Sequence, residues 1–421
     1  MRVYKFGGAS VKDAEGVKNL LRIVRQATDE LVVVVSAMGK TTNALERIVE
    51  TIGLGDKRSV DQQWKELLSY HEQIASALGV DLREAVADDV LSCVPAHRNA
   101  KDANYDDLYD TIVSIGELMS TSIVAAYLSK EGVKAQLWNM PDLLVTDGSF
   151  REAAVNMQAS AQRVKQAWND PYRPRVVVAQ GFIGGTQTGH RTTLGREGSD
   201  YTAALIANYL DAESVTIWKD VPGILNADPR LEEHTVLIPE LSYFEAVELA
   251  YSGAQVIHPK TIRPLENKQI PLYVRPFMQP DEPGTIIHNA PKGQTKVPVY
   301  IWRKEQVLIT MRAKDFSFVL EESLSQIFDV IHRCRLKVSL IQSSAVTVSV
   351  CVDQSRSLSK AIQLLSSNYA VTYNEHLSLL TIRGTTPELI EQERRGRTIL
   401  LSQLTRRTAK FVIAEQPRQT T

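Results

Sequence analysis

The chain is poor in cysteine, with three in 421 residues, and Cys93, Cys334 and Cys351 form no CxxC or Cys/His cluster. That spacing argues against a structural zinc site or a disulfide framework and fits a reducing compartment. Neither sign of charge is in excess: 48 basic side chains stand against 49 acidic ones, a formal net charge of -1. No overall field therefore draws the chain to nucleic acid or to an acidic membrane surface, and any anion must be held by a local site. Long apolar runs are missing too, since LVVVVSAM at 31–38 is far short of a membrane span. The first residues already read as a strand, which leaves no room for a signal peptide. A cytoplasmic globular protein of two or three domains is expected, with 43% hydrophobic and 23% charged residues.

What is present is a regular alternation. RVYKF, a helix over 14–28, LVVVVSA, helices filling 42–128, KAQLWN, a helix near 152–168, RVVVAQGF, a helix over 200–210 and SVTIWKD follow one another. Strands apolar throughout and separated by helices predict a mostly parallel sheet buried on both faces, an α/β sandwich with right-handed crossovers. Ligands collect at the carboxyl ends of such strands. The pattern changes at 279–298, QPDEPGTIIHNAPKGQTKVP, where proline and glycine mark a linker or domain edge. Beyond it the spacing predicts strand 305–311, helix 319–334, strands 336–342 and 345–352, helix 355–367 and strand 369–374, one βαββαβ unit of the ferredoxin-like kind. A strand 377–383, a helix 386–404 and a strand 408–414 then suggest an incomplete second copy.

Five stretches carry chemistry. Lys5-Phe6-Gly7-Gly8-Ala9-Ser10 puts a lysine at the end of a strand just before two glycines, which suits a cradled anion, although a plain strand-to-helix turn reads the same way. Gly39-Lys40-Thr41 imitates the tail of a P-loop, but Val34 stands where the earlier glycine would be needed. Ser36, Thr41 and Thr42 remain as hydroxyls at a strand end, with helix capping as the plainer role for either threonine. In SIGELMST, Glu117 lies among apolar residues and needs a cation if buried; an internal Lys or Arg is the commoner partner, a substrate ammonium the alternative. The segment 180–207 has six glycines from Gly181 to Gly198 and reads as a flexible loop feeding a helix that Ser199 and Asp200 would cap; Arg196 adds a forked cation. Asp200 is odd beside phosphate unless a lysine or metal ion intervenes. In TIWKDVPGILNADPR, turn chemistry accounts for the proline, glycine and aspartate residues but not for Lys219 and Arg230, which a triphosphate would explain.

Taken in order, KFGGAS, SIGELMS, GFIG, TTLGREGSDYTAA, WKDVPGILNADPR, ELSYFEAVELAYSGAQVIHPKTI and PLYVRPFMQPDEPGTII resemble the aspartate kinases of the amino-acid kinase family over about residues 1–290. The resemblance implies a three-layer αβα sandwich as the catalytic domain at 1–290 and a linker at 291–303. ACT-like, ferredoxin-like regulatory regions at 304–375 and, incomplete, at 376–421 would follow. It implies ATP and Mg²⁺, the metal held through the nucleotide, and phosphorylation of L-aspartate to 4-phospho-L-aspartate at the entry to lysine, threonine and methionine biosynthesis. Lys5 and Asp200 would be catalytic. Lys5, Gly7, Gly8, Ser10, Asp220 and Arg230 match nucleotide-side positions, with Lys219 where members of the family vary. Ser36, Thr42, Phe182 and Ser199 match substrate-side positions, Glu117 would receive the substrate ammonium, and Arg196 its carboxylate. The tail would bind an amino-acid effector and build a homodimer; no dinucleotide-binding segment follows it, so a monofunctional kinase is expected.

The departures are specific. Gln255 stands where many relatives have a phosphate-contacting lysine, with Lys260 a nearby substitute; Ala9 replaces a threonine, and Glu197 replaces a common glycine, as though facing away from the phosphates. Ser339 and Ala345 stand where lysine-sensitive relatives carry acidic residues, so weak or absent lysine inhibition is expected. Two other readings share the fold: a kinase for another small acceptor, and a sensor without turnover, to which the joint presence of Lys5, Glu117, Arg196 and Asp200 is opposed.

Overall fold

The computed structural model describes residues 1–254, 257–289, 297–314 and 321–414, and the chain packs as two compact units. Met1–Ile224, Leu237–Val247 and Val256–Gly293 form the first; Leu225–Val236, Glu248–Gln255 and Gln294–Thr421 form the second.

The first unit is built on an eight-stranded sheet in the order Ala135–Trp138, Val176–Gln180, Leu31–Val35, Arg2–Phe6, Ser214–Lys219, Leu272–Pro276, Thr285–His288, Glu240–Ser242. All neighbours run parallel except Leu272–Pro276 with Thr285–His288. Every residue of Leu31–Val35 is fully buried, which is what an apolar run covered on both faces requires. Phe6, Val33, Val35 and Val178 pack with Leu20, Val24, Leu45 and Ile123 of the helices on one side. Helix Gly198–Tyr209 crosses the central strands. Helix Ala14–Gln26 shows the sequence logic: Val17, Leu20, Leu21 and Val24 recur at helical spacing, and the Asp13 side chain caps it by accepting from the Gly16 amide. Phe6 stacks on Trp218 with ring centroids 6.2 Å apart and meets Phe277 edge-on, fixing the strand that carries Lys5.

Helices Tyr105–Val113 and Ile115–Lys130 form a run long and apolar enough to cross a membrane, yet 83% of its most apolar window is buried inside the fold, so it is a core element. Two readings of this unit change. The segment 181–198 is no loose loop: strand Ile183–Thr186 pairs with Val145–Thr146 on one side and with Arg191–Thr193 on the other, in a small sheet. Its glycines allow close packing; a Cβ on Gly185 would lie 2.3 Å from the Pro141 carbonyl oxygen. The predicted helix over 152–168 begins only at Met157, capped by Asn156.

The second unit holds a six-stranded sheet in the order Val338–Ser343, Thr347–Asp353, Val299–Ala313, Tyr369–Arg383, Thr408–Ala414, Thr398–Leu404. Helices Glu321–Arg333 and Leu358–Ser366 bury Ile327, Ile331, Leu358 and Leu365 against it. The strands predicted at 369–374 and 377–383 are one 15-residue strand, and its partner starts at Val299, inside the expected linker. A bulge between Arg303 and Gln306 marks where their pairing shifts register. The predicted helix 386–404 is two elements: helix Pro387–Arg394, then strand Thr398–Leu404, with Gly396 at φ +73° turning the chain between them.

Candidate active site

The carboxyl ends of four adjacent strands bring the predicted residues to one edge. Lys5 closes Arg2–Phe6, Ser36 follows Leu31–Val35, Phe182 follows Val176–Gln180, and Lys219 ends its own strand. Lys5 Nζ lies 2.6 Å from Asp200 Oδ1 as a charge pair, with both side chains largely buried. Asp200 is not a cap, and neither is Ser199. Helix Gly198–Tyr209 starts one residue earlier, with Glu197 at the N-cap in left-handed conformation, φ 54°, and no side-chain cap bond. Asp200 is thereby set in the first helical turn, free to hold Lys5.

Glu117 lies within the Ile115–Lys130 helix and is 2% exposed. Its Oε1 accepts from the Ala37 amide at 3.2 Å, while Oε2 has no hydrogen-bond partner among the described residues. The internal ion pair is not made, because the nearby Lys5 is committed to Asp200. Burial pushes the Glu117 carboxyl up to about 8, opposed by the Ala37 and Glu117 amides and by the charge of Lys5. The result is a dry carboxyl group with one oxygen open.

The glycine turn is tightly keyed. A Cβ on Gly8 would approach the Ala37 carbonyl oxygen to 2.6 Å, and the Gly8 carbonyl accepts from the Gly39 amide. Ser10 donates its amide to the Gly7 carbonyl and its hydroxyl to the Trp218 carbonyl, so it shapes the turn. Ser36 is half-buried; its amide donates to the Phe6 carbonyl and its own carbonyl accepts from Ser120. Thr42 lies in the first turn of helix Thr41–Leu54, whose N-cap is Lys40 with no side-chain bond, so neither threonine caps it. Phe182, at φ 69°, donates its amide to Thr202. Arg196 is exposed and Ser199 buried.

Of the residues expected to serve the nucleotide, Lys219 accepts at its carbonyl from the Phe277 amide, and Asp220 is exposed. Lys260 donates to the Leu194 carbonyl at 3.1 Å and lies over the Tyr201 ring. Arg230 belongs to the second unit, where it pairs with Asp228 at 2.6 Å; that bond and charge hold the Asp228 carboxyl below its ordinary value. Gln255 lies outside the described residues.

The structure adds supporting residues. Gln180 bridges the Met140 amide and the Thr121 hydroxyl, and Thr121 in turn donates to the Glu117 carbonyl, which fixes the helix turn bearing Glu117. A polar residue ending the apolar run RVVVAQ was its visible signal. Asp110 accepts from the Thr193 amide, the Thr193 hydroxyl and the Arg151 amide, anchoring the small sheet, and burial raises its carboxyl pKa. Glu197 accepts from the His258 amide at 2.7 Å, tying together the starts of two helices.

The amino acid kinase family profile matches residues 1–276. The lysine-sensitive aspartokinase 3 of Escherichia coli K12 is 32% identical over 87% of this chain and 81% of its own length. Aspartokinase 1, chloroplastic, of Arabidopsis thaliana is 31% identical over 90% of this chain and 68% of its own. Among solved structures, E. coli aspartokinase III with aspartate and ADP superposes with a TM-score of 0.81 at 28% identity, covering 98% of this chain and 96% of that one. The same enzyme with lysine and aspartate gives 0.80 at 29% identity, covering 98% and 95%.

Proposed function

Since the chain belongs to the amino acid kinase family, and within it to the aspartokinases, we propose that the strand-edge site is where ATP and L-aspartate react. The activity is ATP-dependent phosphorylation of L-aspartate: a side-chain carboxylate oxygen bonds to the γ-phosphorus, the bond to the ADP oxygen breaks, and 4-phospho-L-aspartate and ADP leave. The acceptor is already an anion, so no general base is required, and positioning with charge neutralisation supplies the catalysis.

The observation that carries the assignment of residues is the open oxygen of Glu117 beside the Lys5–Asp200 pair. Glu117, once ionised, receives the α-ammonium of aspartate, and the exposed Arg196 receives its α-carboxylate. Ser36, Thr42, Phe182 and Ser199 wall the acceptor. Lys5 neutralises the transferring phosphoryl group, and Asp200 holds Lys5 in place. Gly7, Gly8 and Ser10 form the turn beneath the phosphates, while Lys219, Asp220, Arg230, Lys260 and Gln255 serve the nucleotide. Mg²⁺ would be held by the phosphates of ATP and would lower their charge there. The donor set fits that arrangement, since Asp200 already faces Lys5.

The catalytic part is assigned to 1–290. The ACT-like part beyond the linker is assigned to amino-acid effectors and homodimer formation, in a cytoplasmic enzyme at the head of lysine, threonine and methionine biosynthesis. Lysine itself is a poor candidate effector. Ser339 Oγ accepts from Arg303 at 2.7 Å and its carbonyl accepts from Lys410 at 3.3 Å, so two cations of the chain already stand where an ammonium group would go. The test is aspartate-dependent ADP release by the intact protein and by Lys5→Ala, with lysine, threonine or methionine added. Turnover lost in the variant supports the assignment; equal turnover removes Lys5 from the chemistry, and strong sub-millimolar inhibition by lysine overturns the effector reading.

A further inference from the structure

The Gly39-Lys40-Thr41 stretch, which the kinase reaction leaves unused, borders a cavity of about 580 Å³ in the first unit. Its other walls are the Lys12–Asp13 turn and residues of helices Thr41–Leu54 and Lys57–Ala77. None of Lys5, Glu117, Arg196 or Asp200 lines it. We propose that this cavity is a second ligand site, for a small organic anion with an apolar body, and that its occupant adjusts the glycine turn at the active site.

Lys12 reaches the cavity from its turn, Lys40 and Arg47 from the cap and the second turn of helix Thr41–Leu54, and among the described residues none of them makes an ion pair. The acids on the rim have other work. Asp13 caps its helix through the Gly16 amide, and Glu66 accepts from Gln62. Three cations against two committed carboxylates leave a positive excess, in a space within the roughly 300–1,000 Å³ typical of small-molecule sites. Leu67, itself buried, and Ala44 supply an apolar surface that a bare inorganic ion would not use. A phosphate or carboxylate on a flat or aliphatic body satisfies both parts.

The route to the active site is short. The Tyr70 hydroxyl donates to the Lys12 carbonyl, and the Gly39 amide donates to the Gly8 carbonyl at 3.0 Å. A ligand drawing Lys12 and Lys40 together therefore pulls on both ends of the Gly7-Gly8 turn.

Pyridoxal 5′-phosphate is a suitable probe, with a phosphate, a flat ring and an aldehyde that borohydride fixes to a neighbouring lysine. The full chain is labelled with ATP and aspartate present to shield Lys5, and the labelled peptides are mapped. The expected result is near-stoichiometric label at Lys40 or Lys12, lowered at least tenfold in Arg47→Ala, with at least a twofold change in KM for aspartate in the labelled enzyme. Label scattered over surface lysines, or undiminished in Arg47→Ala, overturns the site. An unchanged KM overturns the coupling. Should Arg47→Ala fail to fold, as judged by its melting curve, loss of Lys40 labelling in Lys12→Gln replaces it as the readout. Labelling needs no turnover, so its outcome is separate from that of the kinase assay.

Discussion

At the strand ends of the first unit, Glu117 is buried with an oxygen that has no partner among the described residues, whereas the polar groups inside the C-terminal sheet complete one another. Arg303 there meets Asp353 at 3.1 Å and Ser339 at 2.7 Å, Gln306 takes the other oxygen of Asp353 at 2.7 Å, and Arg383 pairs with Glu248 at 2.7 Å. Lys410, half-buried and close to these arginines, has its pKa lowered first by desolvation. Burying a group short of a partner costs free energy that only a ligand can return, so the first arrangement is that of a place to be filled. The second has its charges matched internally and offers a cationic guest nothing new.

The sharpest way to break this contrast is Lys5→Ala, which strips the charge paired with Asp200 and proposed to face the phosphoryl group. A loss of about two to three decades in kcat is expected, equivalent to roughly 3–4 kcal/mol in the barrier. A change under about threefold in steady-state turnover would mean that the incomplete edge is not the site.

Histidines sharpen the comparison next. His71 in the first unit is fully buried against the Leu67 carbonyl, and desolvation pulls its pKa down to about 4 from 6.5, whereas His376 in the second is exposed. The unfolded chain takes up a proton between these two values and the folded one does not. The first unit should therefore lose stability as pH falls from 6.5 toward 4, by roughly 3 kcal/mol. Calorimetry at pH 7 and pH 4.5 should show the transition of the first unit moving down, and His71→Gln should lessen that movement.

Glu117→Gln isolates the open oxygen. Since the folded group keeps its proton from its ordinary 4.5 up to about 8, its contribution to stability is fully present below 4.5 and is lost progressively as pH rises from there to 8. Most of that loss has occurred by pH 7, so the variant, whose amide does not titrate, should melt above the parent there. Its KM for aspartate should nonetheless rise about 10- to 100-fold, the loss of a charged hydrogen bond. In the parent, KM should fall as pH approaches 8 and then level off; a parent profile flat from pH 6 to 8 would remove Glu117 from ammonium binding. The smallest effect is expected from Asp353→Asn, about 1 kcal/mol at most, because that pair is partly exposed and Arg303 retains Ser339. Denaturant titration followed in the C-terminal unit would measure it.

Much of this was legible in the residues. Fully apolar five-residue strands announce a parallel sheet, and a lysine before paired glycines announces the edge where it is used. The partner of Glu117 was not legible, because neither periodicity nor composition tells whether Lys5 turns to Glu117 or to Asp200. The glycines of 181–198 misled for a related reason: close backbone packing and loop flexibility favour the same residue. Residues 398–404, TILLSQL, carry too little pattern to separate helix from strand, and pairing with Thr408–Ala414 decides it.

The two 15-residue strands of the C-terminal sheet also set an order in time. Val299–Arg303 pairs with Leu379–Arg383, about 80 residues later in the chain. At roughly 5–20 residues per second, a ribosome needs on the order of 4–16 s to supply that partner. Throughout this interval Val299–Arg303 is an orphan edge, and the nascent protein depends on chaperones or on its own delay to keep it from a neighbour's strand.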